Sequence, residues 1–173
     1  MRTLVIAGTL VGALAVVSMA DGPKVSRTMM EAMEHSLDGK LKGIWPQDPA
    51  EVVGVPQGTY IRGYGAVFLG EVNLAPAAGI SPFHPTISPD EVIRTHDKKM
   101  QRMATLRTTM RTMLVDSARS LDAVPSDEQV AVSLTLFYWT WEKRDGLPAQ
   151  VVMHAQRKAL LTGANADIAS EEF

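Results

Sequence analysis

The chain has 173 residues, enough for one domain and rarely two. Apolar residues make up 46% and charged residues 21%, and the formal net charge of −2 gives no whole-molecule field that would draw the protein to nucleic acid. Cysteine is absent, which excludes disulfides, cysteine metal sites, a thiol nucleophile and lipid attachment through an N-terminal cysteine.

The chain opens with Arg2, an apolar run from Leu4 to Val17, and then Ser18, Met19 and Ala20 before Asp21. Small residues three places and one place before the Ala20–Asp21 bond, behind a short apolar run, follow the order of a secretory signal peptide. The run is short for a membrane span of ~20 residues, and the helix-breaking pair Gly22-Pro23 follows. The expectation is a signal peptide over 1–20, cleaved after Ala20, and a periplasmic or secreted mature protein with no transmembrane span. Retention as an anchor is the alternative. Export without cysteine is ordinary in a bacterium.

Within 24–38, Val25, Met29, Met33 and Leu37 recur at intervals of four, which predicts one helix face, with Gly39 as its stop. Residues 42–58 are rich in Pro and Gly and read as a connector. "TYIRGYGAVFLGEVNL" then reads as one long strand, followed by a second Pro-rich connector in which Ile80 and Phe83 dock.

The clearest element begins at Ser88, a helix cap with Pro89 at the first helical position and Glu91 three residues on. Val92, His96, Met103, Leu106, Met110, Leu114 and Leu121 fall on one stripe, with Thr105, Thr108, Thr112, Asp116 and Arg119 opposite. This is a one-sided helix of roughly 30 residues, about 45–50 Å long, ended by Pro125. Residues 130–142, β-branched and aromatic, predict a strand; "KRDG" a turn; 147–155 a returning strand. A short helix over "QRKALLTG" and a loose polar tail close the chain. The elements define a single α+β domain over 21–163: a small, mostly antiparallel sheet with the long amphipathic helix on one face, and a flexible tail over 164–173.

Gly63 and Gly65 sit inside the first predicted strand. A dinucleotide loop needs G-x-G-x-x-G at a strand-to-helix turn, but Phe68 holds the third glycine position and no helix starts before Ser88. Strand alternation instead puts both glycines on one face, opening a flat patch. Phe137, Trp139 and Trp141, or the Met-rich helix stripe, are expected to fill it.

No HExxH, GxSxG or convincing Ser-x-x-Lys occurs. No metal, organic cofactor or catalytic residue is assigned. His96 and Lys99 lie on or beside the apolar stripe, where a lysine would be desolvated and its pKa lowered. The expectation is that the helix start overhangs the sheet and both are solvated. His84 meets His96 only if the fold brings them together, and His154 reads as an edge residue. Ten methionines at helical spacing suit a thioether Cu(I) site, but flexible core filling accounts for them better. Arg102 and Arg107 flank the stripe, and the helix is basic enough for an anionic docking surface. Trp139, Trp141, Tyr60 and Tyr64 would form a sugar or peptide platform if the sheet has an open face, but core packing accounts for them better.

"YIRGYGAVFLGEVNL", "HDKKMQRMATLRTTMRTML" and "VSLTLFYWTWEKRDGLPAQVVMHAQRKALL" resemble a set of uncharacterised exported bacterial proteins over residues 59–161. The resemblance implies no activity and no catalytic residue. The leading expectation is a non-enzymatic cell-envelope protein that binds an envelope protein or an anionic surface, and not nucleic acid. Its surface would carry Tyr60, Arg62, Tyr64, His96, Lys99, Trp139 and Trp141. The alternative is a small-ligand binder or an enzyme with its site between the sheet and the long helix. That reading requires His96, Lys99, Tyr64 and Arg62 to cluster within about 6 Å in a concave site.

Overall fold

The computed structural model describes residues 24–77, 79–80, 82, 86–163 and 167–173. The signal segment, Phe83 and His84 lie outside the described residues.

Helix α1 (Arg27–Gly43) starts at Ser26, whose side chain accepts a hydrogen bond from the Met29 amide at 3.2 Å. Met30, Met33, Leu37 and Leu41 are buried along one stripe. That stripe carries the helix through Gly39, the expected stop. Burying Leu41 outweighs the roughly 1 kcal/mol that a glycine costs inside a helix.

The second half of the region read as a connector, from residue 51 on, is strand β1 (Glu51–Ile61). Its Pro and Gly residues mark an irregular edge strand: the register shifts between Val53 and Gln57, around Gly54 (φ 74°) and Pro56. The expected single long strand is a hairpin. β1 ends at Ile61, the chain turns over Arg62–Tyr64, and β2 (Gly65–Asn73) runs back antiparallel. Gly63 and Gly65 are therefore not a flat patch under an aromatic. Gly63 has φ 82° and open space where a Cβ would stand; at Gly65, with φ 136°, a Cβ would collide with the Gln129 carbonyl. One glycine makes the turn, and the other admits a neighbouring backbone.

Helix α2 (Pro89–Ser120) has the expected cap, with the Ser88 hydroxyl accepting from the Glu91 amide at 3.2 Å. Its buried side includes Met103, Leu106, Met110, Met113 and Leu114, and near its start Thr95, Lys99 and Arg102, while Val92 and His96 are only half-buried. β3 (Gln129–Leu136) stops six residues short of the expected strand, so Phe137, Trp139 and Trp141 lie on the connection to β4 (Gln150–Gln156) and share no strand face. A short helix α3 (Arg157–Leu161) follows. The tail expected to be loose supplies β5 (Ala169–Glu172), paired with β4.

The sheet order is β1-β2-β3-β4-β5. Only β2–β3 is parallel, as the α2 crossover requires, and the other pairings are antiparallel. All three helices join one core with Phe68, Val72, Val132, Leu134, Val151 and Met153. This is an α+β fold with helices on one sheet face. Met30, Met33, Met103, Met110, Met113 and Met153 are core residues. No helix among the described residues is long and apolar enough to cross a membrane.

Candidate functional site

Three segments meet around the first turns of α2: the 44–48 stretch after α1, the start of α2 itself, and the 137–149 connection. Lys99 holds them from inside. It sits where the helix stripe requires an apolar residue, so its chain is drawn into the core and its ammonium must find partners there. Its Nζ donates to the Phe137 carbonyl at 2.8 Å, forms an ion pair with Glu142, and lies 4.4 Å from the centre of the Tyr138 ring. Burial holds the Lys99 pKa below the usual lysine value, and Glu142 opposes that shift. Lys99 is thus not solvated, contrary to expectation. The Tyr138 hydroxyl donates to the Pro148 carbonyl at 2.8 Å, and burial, reinforced by Glu142, pushes its pKa up to about 12. The Glu142 carboxylate also accepts the Trp139 amide at 3.1 Å, closing the turn that carries Trp139 and Trp141. His96 is partly covered too, its Nε2 lying 2.9 Å from the Asp145 carbonyl.

Arg102, one turn on, performs the same work for the 44–48 stretch. Its guanidinium donates to the carbonyls of Leu74 and Asp48 and to Asp48 Oδ2, and stands 4.6 Å from the centre of the Trp45 ring. Lys98 reaches the same Asp48 carboxylate at 2.6 Å. Asp48 is held below the usual carboxylate range, first by the Lys98 hydrogen bond and then by the Arg102 charge. Trp45, Asp48, Arg94, Asp97, Lys98, Gln101 and Arg102 line an open cleft of about 600 Å³.

The structure separates the residues expected to act together. His96 and Lys99 lie beside the C-terminal end of β3, through the Lys99–Phe137 contact. Arg62 and Tyr64 lie at its other end, where the Gln129 amide donates to the Tyr64 carbonyl at 2.7 Å. The length of β3 stands between them, about 25 Å. Tyr60 also belongs to that far end; its pKa is raised by burial and by Glu128. Trp139 and Trp141 do join the Lys99 end, with Trp139 packed edge-on against Phe137 at 5.1 Å between ring centres. Glu142, Asp48 and Trp45 were not legible as site residues, since each depends on a contact distant in sequence. Arg94, Lys98 and Arg102 at i, i+4 and i+8 carried a signal, a cationic row along one helix face.

His154 is not an edge residue: β4 is paired on both sides, with Ala131 and Ala169 opposite His154, because the tail supplies β5, and the imidazole lies half-buried 3.9 Å from Glu171. No group of His, Asp and Glu among the described residues is placed to hold a metal. No protein-family model matches the chain, and comparison with curated proteins and with solved structures finds no similar protein.

Proposed function

We propose that this is an exported, non-enzymatic cell-envelope domain that binds a partner protein through the end of the molecule where α2 begins. The observation that carries this is the exposure of Ile93, Met100 and Trp139 at that end, 55%, 43% and 38%, with Ile80, next to the glycine that faces the Trp139 ring, exposed as well. Grouped exposed apolar residues with a polar rim are the composition of a recognition surface. They stand on a rigid base, because the Lys99–Glu142 pair and the His96–Asp145 contact fix the connection to the helix. Met100 lies beside Gly146, where a Cβ would stand 3.5 Å from the Met100 methyl. On the 137–149 connection the cations are engaged within the chain, Lys143 by Asp145 at 3.2 Å and Arg144 by stacking on Tyr138, which favours a protein over a lipid surface there. The signal-like first twenty residues support export.

Site-specific photo-crosslinking in the native host tests this. A photoreactive residue at position 93 or 139 is expected to yield one discrete protein adduct, and one at Thr135, on the uncovered sheet face, none. No adduct above that control, or an adduct only from position 135, overturns the assignment. The mass of the envelope-fraction protein tests export: a chain starting at Asp21 is expected, and a full-length chain in the cytoplasm overturns it.

A further inference from the structure

We infer that the cleft beside Trp45 is a binding site for a small organic anion, with its carboxylate or phosphate head on Arg94 and Lys98 and its body against the indole. This goes beyond the partner surface and does not depend on it.

The charge pattern is the first ground. Arg94, Lys98 and Arg102 stand one turn apart on the same face of α2, where neighbouring like charges repel. Asp48 answers Lys98 and Arg102, and it is the only carboxylate that reaches them among the described residues. Asp97, the other acid lining the cleft, lies 3.3 Å from His96 instead. Arg94 is exposed and, among the described residues, has no hydrogen-bond or ion-pair partner. The lining thus carries three cations against two carboxylates, with a whole guanidinium fork left over.

Preorganisation is the second ground. Arg102 is fully engaged and only 8% exposed, so it acts as the fixed floor on which Asp48 and Trp45 rest. Lys98 is held at 2.6 Å from Asp48 while keeping part of its surface open. A ligand oxyanion meeting Arg94 and Lys98 would find one donor, Lys98, already in place, so that only the Arg94 side chain has to be ordered on binding. Size is the third ground. About 600 Å³ is the range of small-molecule sites, and Trp45 supplies the apolar wall such sites need. Gln101 adds a neutral donor and acceptor at the rim.

The test is titration of the purified, isotope-labelled protein, followed by amide and indole NMR, with indole-3-acetate, inorganic phosphate, and sodium chloride at matched ionic strength. Saturable shifts at Arg94–Arg102 and at the Trp45 indole are expected with at least one oxyanion. Indole-3-acetate acting alone assigns a carboxylate head, and phosphate acting alone assigns a phosphate head. R94A, an exposed change that should leave the fold intact, is expected to weaken binding about tenfold, and R94K to restore part of it, since lysine lacks the bidentate fork. Shifts no larger than those of chloride, or equal affinity in R94A, overturn the site. Crosslinking at positions 93 and 139 is read separately, so either proposal can fail without the other.

Discussion

Lys99 on α2 and Glu142 on the β3–β4 connection form an ion pair with side chains 1% and 2% exposed, the most enclosed opposite charges described in the molecule. Neither charge is affordable alone in that setting. E142L should therefore destabilise the protein by about 3–5 kcal/mol in chemical denaturation, because it leaves a buried ammonium with only the Phe137 carbonyl and the Tyr138 ring. The double variant K99M/E142L should recover most of that loss. A double variant no more stable than E142L would show that the connection is held by other contacts.

The same pair sets a pH dependence. The folded lysine holds its proton less tightly than the unfolded one, so the unfolded chain binds more protons between the two pKa values. Stability contributed by Lys99 therefore rises as pH climbs through the window below the usual lysine value, and is lowest beneath it. K99M should flatten that slope in denaturation curves taken from neutral to alkaline pH, whereas an unchanged slope would assign it to other groups.

The two central glycines predict unequal losses. G63A adds a methyl into open space and meets only the unfavourable φ of 82°, about 1–2 kcal/mol. G65A meets a φ of 136°, further from what an alanine adopts, and drives its Cβ into the Gln129 carbonyl, next to the hydrogen bond from Gln129 to Tyr64 that aligns β2 with β3. A loss of about 3 kcal/mol or more, or no folded protein, is expected there. Equal melting temperatures for the two variants would contradict the hairpin.

These glycines also show where the sequence was readable. The α2 cap, its Met and Leu stripe and its length followed from local rules, since Ser88, Pro89 and Glu91 act within one turn. The layer architecture followed from the element types. The hairpin did not, because alternation continues numerically through Arg62–Tyr64 and a turn of that length lacks the Asn-Gly or Asp-Gly pair that marks tight hairpins. β1 was hidden by Pro56 and Gly54, residues that signal a connector in the middle of a chain but are tolerated on an edge strand. Lys99 and Arg102 were legible as cations beside an apolar stripe. Their burial depended on Glu142 and Asp48, both distant in sequence and near only after folding.

At Gly58 the outer edge of β1 is covered by side chains from α1. The Glu34 carboxylate accepts the Gly58 amide at 2.6 Å, and the Arg27 guanidinium donates to the Gly58 carbonyl at 3.1 Å while pairing with Glu34 at 2.8 Å. Together they occupy the Gly58 amide and carbonyl, two of the polar groups that a further strand would use. Burial alone would raise the Glu34 pKa, but the Gly58 amide and Arg27 outweigh it and hold it below the usual carboxylate range. Its contribution is thus present above that range and is lost as pH falls through the lowered value. E34A should cost about 1–3 kcal/mol by leaving a half-buried amide without its acceptor, and should speed aggregation, read by light scattering just below the melting temperature. E31A removes only an exposed partner of Arg27 and should change stability by less than about 1 kcal/mol. If E34A and E31A aggregated at the same rate, the Gly58 contacts would not be what keeps that edge unpaired.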